Sequence, residues 1–225
     1  MNSDQQKPGF RQVLRKIVPD SLLREHRVFL RLGRKAGPIY ARLRLLDSLG
    51  LRSTNMKRIH ASARSFLFVC SGNIMRSPMA EVMFRESVAK ANLPNLLVCS
   101  AGLHAVSGKE AHPRAMAASQ EIGLPLTQHR AQLLTSALVS QADAIFVMDF
   151  QNKAEMLALY PEAGNKILML RAYADGRERY REISDPYFGD LEDTLRCYAV
   201  LHTCIQNLTI DLAAHSLTSA VSVST

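Results

Sequence analysis

The sequence predicts an α/β fold: a single doubly wound domain with a central four-stranded parallel sheet flanked by helices, preceded by a helical N-terminal extension. Three observations carry this. From Ser65 onward, short apolar runs alternate with helical patterns, the order that a parallel sheet covered on both faces produces. Those runs fall at residues 66–69, 96–99, 144–148 and 166–170, each short enough for a buried strand. Charge also divides the chain: residues 1–64 carry 15 Lys and Arg against 4 Asp and Glu, and the remainder 13 against 16. The formal charge of +8 therefore belongs to the extension.

Residues 1–50 are expected to be helical. Phe10, Val13, Leu14, Ile17 and Val18 fall on one helical stripe, with Arg11, Arg15 and Lys16 off it. Pro19 and Asp20-Ser21 stop that helix and start a second over Leu22 to Leu32. Gly33 and Gly37-Pro38 predict further breaks, and Ile39 to Leu49 a third helix ending at Gly50. Residues 51–64 are polar without apolar period and are assigned to a linker. A basic amphipathic arm over residues 1–60 suits an anionic membrane surface or an acidic partner. The alternative is a set of helices folded onto their own domain with a solvated basic face. Nucleic acid is disfavoured, because no recognition motif accompanies the charge.

The 225-residue length and 47% hydrophobic content fit one ordinary domain plus this extension. Four cysteines without metal or disulfide spacing suit a reducing cytoplasm, the expected location. No uncharged apolar run approaches the roughly 20 residues of a membrane span, and basic residues interrupt any signal-peptide core.

Phe66 to Ala80 reads F-L-F-V-C-S-G-N-I-M-R-S-P-M-A. The apolar strand ends in Cys70, five residues lead to Arg76, and Ser77-Pro78 suit an N-cap and first helical position. Gly72 is expected to let the loop curl with its N–H groups inward. Such a ring of donors at a helix N-terminus binds a tetrahedral oxyanion, and Arg76 adds a planar fork for two of its oxygens. The same field favours the thiolate form of Cys70, the nucleophile. Farther on, Asp185 precedes Pro186 and is therefore extended or in a turn, suited to projecting a carboxyl from a loop.

C-S-G-N-I-M-R-S-P resembles the C-x5-R-S signature of the low-molecular-weight protein tyrosine phosphatases, and the likeness extends over residues 66 to about 210. That resemblance implies a cysteine-dependent phosphatase with Cys70 as nucleophile and no cofactor or metal. It places Ser71, Gly72, Asn73, Ile74, Met75 and Ser77 in the phosphate loop. D-P-Y-F matches the family's acid loop, making Asp185 the general acid, with Glu182 and Asp190 as fallbacks. Tyr187 and Phe188 would wall a slot for the phenyl ring of a phosphotyrosine protein. Asn73, Ser77, Ser100 and His129 would form the polar network supporting the loop, and Ala144 to Asp149 the scaffold strand.

Two departures bear on chemistry. Met75 stands where many members carry a second cysteine that traps an oxidised nucleophile. Ile74 stands where phosphoarginine phosphatases tend to carry Thr, favouring phosphotyrosine. Cys99, Cys197 and Cys204 do not fall where arsenate reductases place their relay. S-A-G-L-H-A-V-S-G-K, from Ser100, resembles the variable loop of bacterial members acting on tyrosine autokinases in exopolysaccharide assembly. A phosphotyrosine-binding module without turnover is the competing class, disfavoured by the presence of both nucleophile and acid. The domain is assigned to residues 65–213, and residues 214–225 to a disordered tail.

Overall fold

The computed structural model describes residues 20–51, 58–93 and 95–221. The helix expected over residues 10–18 lies outside them. Four strands form one parallel sheet in the order β2-β1-β3-β4: β1 (Ser65–Cys70), β2 (Leu97–Gly102), β3 (Ala144–Val147) and β4 (Ile167–Met169). β1 pairs with both β2 and β3, so the chain leaves β1 in opposite directions and a crevice opens at its carboxyl end. Every residue of β3 and β4, and Phe66 to Cys70 of β1, is buried, as strands covered on both faces require.

One face carries α2 (Arg76–Lys90), α3 (Pro113–Glu121) and α6 (Leu191–Val221). There Phe66, Phe68, Phe84, Phe146 and Tyr173 form a chain of edge-on and stacked rings. On the other face lie α4 (Ser136–Gln141), α5 (Phe150–Leu159) and, outermost, the extension helix α1 (Asp20–Ser48). Ala36, Tyr40 and Leu43 of α1 are buried in the cluster that contains Leu67, Val147, Phe150 and Ala154. The described extension is therefore folded onto its own domain.

The break expected at Gly33 is present: the helical path of α1 is interrupted there (φ 69°, ψ −164°), a left-handed value glycine adopts without a Cβ clash. Other expectations need correction. No break occurs at Gly37-Pro38. Instead Gly37 lets the two arms touch: a Cβ there would lie 2.9 Å from the Phe29 carbonyl oxygen. The described end of the linker is not free either, since Ile59 and Ala63 are buried and the Ile59 N–H donates to Tyr173 Oη (3.1 Å). α6 continues to Val221, through much of the expected tail, because no Gly or Pro interrupts residues 191–221. Residues 222–225 lie outside the described ones.

Candidate active site

Cys70 ends β1 and Arg76 begins α2, so residues 71–75 form a loop in the crevice at the end of β1. Its carbonyls are tied away from the centre. Cys70 O accepts from the Leu103 N–H (3.0 Å), Ser71 O from His104 (2.8 Å) and Ile74 O from His112 (2.9 Å). Asn73 O meets His129 Nε2 at 2.7 Å; a carbonyl only accepts, so Nε2 carries the proton. Facing the other way, the Asn73 N–H points at Cys70 Sγ (3.3 Å). Anchoring of the carbonyls leaves the loop's donors for a ligand.

The left-handed residue of the loop is Asn73 (φ 52°), not Gly72. Asparagine tolerates this region because its side chain bonds locally. Here Asn73 Nδ2 donates to Ser77 Oγ and Ser100 Oγ, both at 2.9 Å, and Asn73 Oδ1 accepts from the Gln132 N–H (2.8 Å). The glycine the loop does need is Gly102, at the end of β2. A Cβ there would sit 2.8 Å from both Asn73 N and Ser71 O.

Ser77 corrects another expectation. It lies inside α2, and Met75 occupies the cap position without a side-chain bond. The Ser77 hydroxyl instead lies 3.0 Å from Cys70 Sγ, where a hydroxyl can donate to a thiolate. Ser100 donates to Glu81 Oε2 (2.7 Å), extending the network to a carboxylate the sequence did not single out.

Arg76 is 2% exposed. Its Nη1 donates to Asp149 Oδ2 (2.6 Å) and Ile183 O (3.0 Å), and its Nη2 to Asp185 Oδ2 (2.5 Å). Burial works against its charge, but Asp149, Asp185 and Cys70 hold its pKa above the ordinary value. Asp149, which also caps α5 through the Asn152 N–H (2.7 Å), was assigned to scaffold by the sequence. Its contact with Arg76 spans 73 residues, and no local signal encodes it.

Asp185, 109 residues from Arg76, is thereby brought to the loop. Of the fallback acids, Asp190 bonds the Asp193 N–H (2.8 Å) at the start of α6, and Glu182 faces the extension. The two slot residues differ. Tyr187 is 41% exposed and meets the His112 ring edge-on at 5.4 Å, whereas Phe188 is 96% exposed and stands at 89° to Tyr187. His112, which the sequence did not single out, thus joins Phe188 as an edge-on neighbour of Tyr187. Burial, helped by Arg114 and Lys109, lowers the His112 pKa. Arg114 braces the acid loop, donating to the carbonyls of Tyr187 and Gly189.

Met75, the last residue of the loop, is buried. The remaining cysteines are ill-suited to react: burial pushes the Cys197 and Cys204 thiols up to about 12 and raises that of Cys99. Among the described residues, no cluster of three His, Cys, Asp or Glu could hold a metal ion.

A family model described as low molecular weight phosphotyrosine protein phosphatase matches residues 65–219, which include the whole of this site. The chain belongs to that family. It is 40% identical over 124 residues to the probable low molecular weight protein-tyrosine-phosphatase EpsP of Ralstonia nicotianae, covering 55% of this chain and 79% of EpsP. The tyrosine phosphatase Wzb from Escherichia coli K30, solved with sulphate, superposes with a TM-score of 0.60 at 31% identity. That match covers 67% of this phosphatase and 99% of Wzb. The YwlE arginine phosphatase from Geobacillus stearothermophilus superposes with a TM-score of 0.62 at 30% identity, covering 69% of this chain and 96% of YwlE.

Proposed function

We propose that this phosphatase hydrolyses phosphotyrosine in proteins through a phosphocysteine intermediate. Cys70 thiolate attacks phosphorus in line with the tyrosyl oxygen, and loop N–H groups take the equatorial oxygens. The incoming phosphate displaces the Asp185 carboxylate from Arg76 Nη2, while Asp149 and Ile183 O keep the guanidinium oriented through Nη1. Freed from Arg76, Asp185 takes up a proton from solvent and donates it to the leaving oxygen. As carboxylate it then takes a proton from the water that cleaves the S–P bond, releasing phosphate and the thiolate. Ser77 eases that departure by donating to sulfur. Asn73, Ser100 and His129 keep the loop open. The observation that carries this reading is the pairing of Asp185 with Arg76, which sets the acid beside the loop headed by Cys70.

Relatives include both tyrosine and arginine phosphatases. Ile74 favours the aryl ester, since its apolar side chain has nothing to offer a guanidinium, and Tyr187 supplies an aromatic face for stacking. Wild type is expected to prefer a phosphotyrosine peptide over a phosphoarginine peptide in kcat/KM, and Ile74→Thr to narrow the gap. A preference for phosphoarginine in the wild type would overturn the substrate assignment.

The variable-loop likeness supports a tyrosine autokinase of exopolysaccharide assembly as the partner. Peripheral residence at an anionic membrane surface would suit such a substrate. It is supported by the exposed Arg24, Arg27, Arg34, Lys35 and Arg42 of α1 and by the exposed Leu22, Leu30 and Leu45 among them.

A further inference from the structure

We infer that Arg44, in the extension, is a positioning residue for the acid loop and acts through Glu182. α1 precedes the region matched to the family, yet one of its side chains reaches the base of the loop that carries Asp185. Arg44 Nη1 lies 2.8 Å from Glu182 Oε2. The other carboxylate oxygen, Oε1, accepts from the Phe150 N–H (2.6 Å), the first residue of α5. Glu182 thus ties the acid loop to the same helix start whose cap, Asp149, holds Arg76. One residue on, the Ile183 N–H donates to Met148 O (2.9 Å) and its carbonyl accepts from Arg76. Asp185 follows two residues later.

Arg44 is itself held. Its Nε donates to Glu25 Oε2 and Tyr40 Oη, both at 3.0 Å, and its guanidinium lies 5.2 Å from the centre of the Phe150 ring. Tyr40 Oη in turn donates to Glu25 Oε2 (2.6 Å), linking the two arms of α1 across the kink. The Arg44 and Glu182 side chains are only 32% and 21% exposed, so neither charge is well solvated alone. Burial raises the Glu182 pKa, Arg44 opposes that rise, and Asp149 adds to it. Without Arg44, Glu182 keeps the Phe150 N–H but loses the cation that offsets Asp149, and residues 182–185 lose one of the ties at their base. The acid would then sit less well over the leaving oxygen, while Arg76 keeps its orientation through Asp149, which Arg44 does not touch.

The inference rests on Asp185 being the acid, and a double-mutant cycle in the full-length chain keeps the two apart. Wild type, Arg44→Met, Glu182→Gln, the double variant and Asp185→Asn are assayed on phenyl phosphate and on p-nitrophenyl phosphate, with competitive inhibition by inorganic phosphate. Arg44→Met is expected to lower kcat on phenyl phosphate on the order of tenfold, a fraction of what a positioned acid supplies. The loss on p-nitrophenyl phosphate should be smaller and the phosphate Ki unchanged. Once Glu182→Gln has removed the charge, loss of Arg44 should add little, so the double variant matches Glu182→Gln. Equal losses on both esters, a parallel shift in Ki, or a double variant clearly slower than Glu182→Gln would overturn the inference. If Arg44→Met does not fold, the comparison of the double variant with Glu182→Gln decides alone. If Asp185→Asn shows no leaving-group dependence, it is the assignment of the acid that fails.

Discussion

Buried Arg76 spends one guanidinium nitrogen on Asp149 and Ile183 and the other on Asp185, so it fixes the Asp185 carboxylate beside the loop that follows Cys70. A lysine has no such fork and could not hold all three. If Asp185 protonates the leaving oxygen, Asp185→Ala should slow hydrolysis of an unactivated aryl phosphate by about 10²-fold or more. An activated ester, whose oxygen needs no proton, should lose far less; equal losses would remove Asp185 from that role. The grouping of Cys70, Arg76 and Ser77 was legible because strand, loop and helix start are contiguous, although Ser77 lies inside α2 and not at its cap. Asp149, Glu81, His112 and Arg114 were not, since each reaches the site through a contact between elements distant in sequence.

At the level of elements, the phosphate loop is shaped from outside. The backbone N–H groups of residues 103, 104 and 112, the His129 ring and the Tyr198 hydroxyl all hold loop carbonyls in place. Gly102 shows how tightly β2 approaches. Gly102→Ala would drive a methyl into Asn73 N and Ser71 O, backbone atoms that cannot swing aside. Because a displacement of ~1 Å at a reacting centre costs about 10²-fold, turnover should fall by tenfold or more. Thermal melting beside the assay checks this, and a Gly102→Ala variant with full activity would contradict the account. The four strands were legible from their apolar runs. Their ends were less so: β2 extends to Gly102 because Ser100 and Ala101 continue the pairing with β1. The short helix α4 lacks length for a periodic signal and was not anticipated.

For the whole molecule, the described part of the extension is a packed element, and the extension's sequence carries the charge. Start and stop signals placed its described helix, but sequence patterning cannot say whether an apolar stripe meets a membrane or the protein's own surface. Tyr40, Leu43 and Ala36 meet α5, while Arg24, Arg27, Arg34, Lys35 and Arg42 stay exposed. Reversing Arg27, Arg34 and Lys35 to Glu should weaken co-sedimentation with anionic vesicles several-fold and leave turnover of a soluble aryl phosphate unchanged, since none contacts the site. Binding that survives the reversal would sink the membrane proposal. The central claim is thiolate catalysis by Cys70, and the most direct measurement is turnover of a phosphotyrosine peptide by wild type and Cys70→Ser in the presence of a chelator. The account predicts activity in the wild type that chelation spares and the serine variant lacks. A wild type that binds the peptide without releasing phosphate, or a Cys70→Ser variant that still turns over, would contradict it.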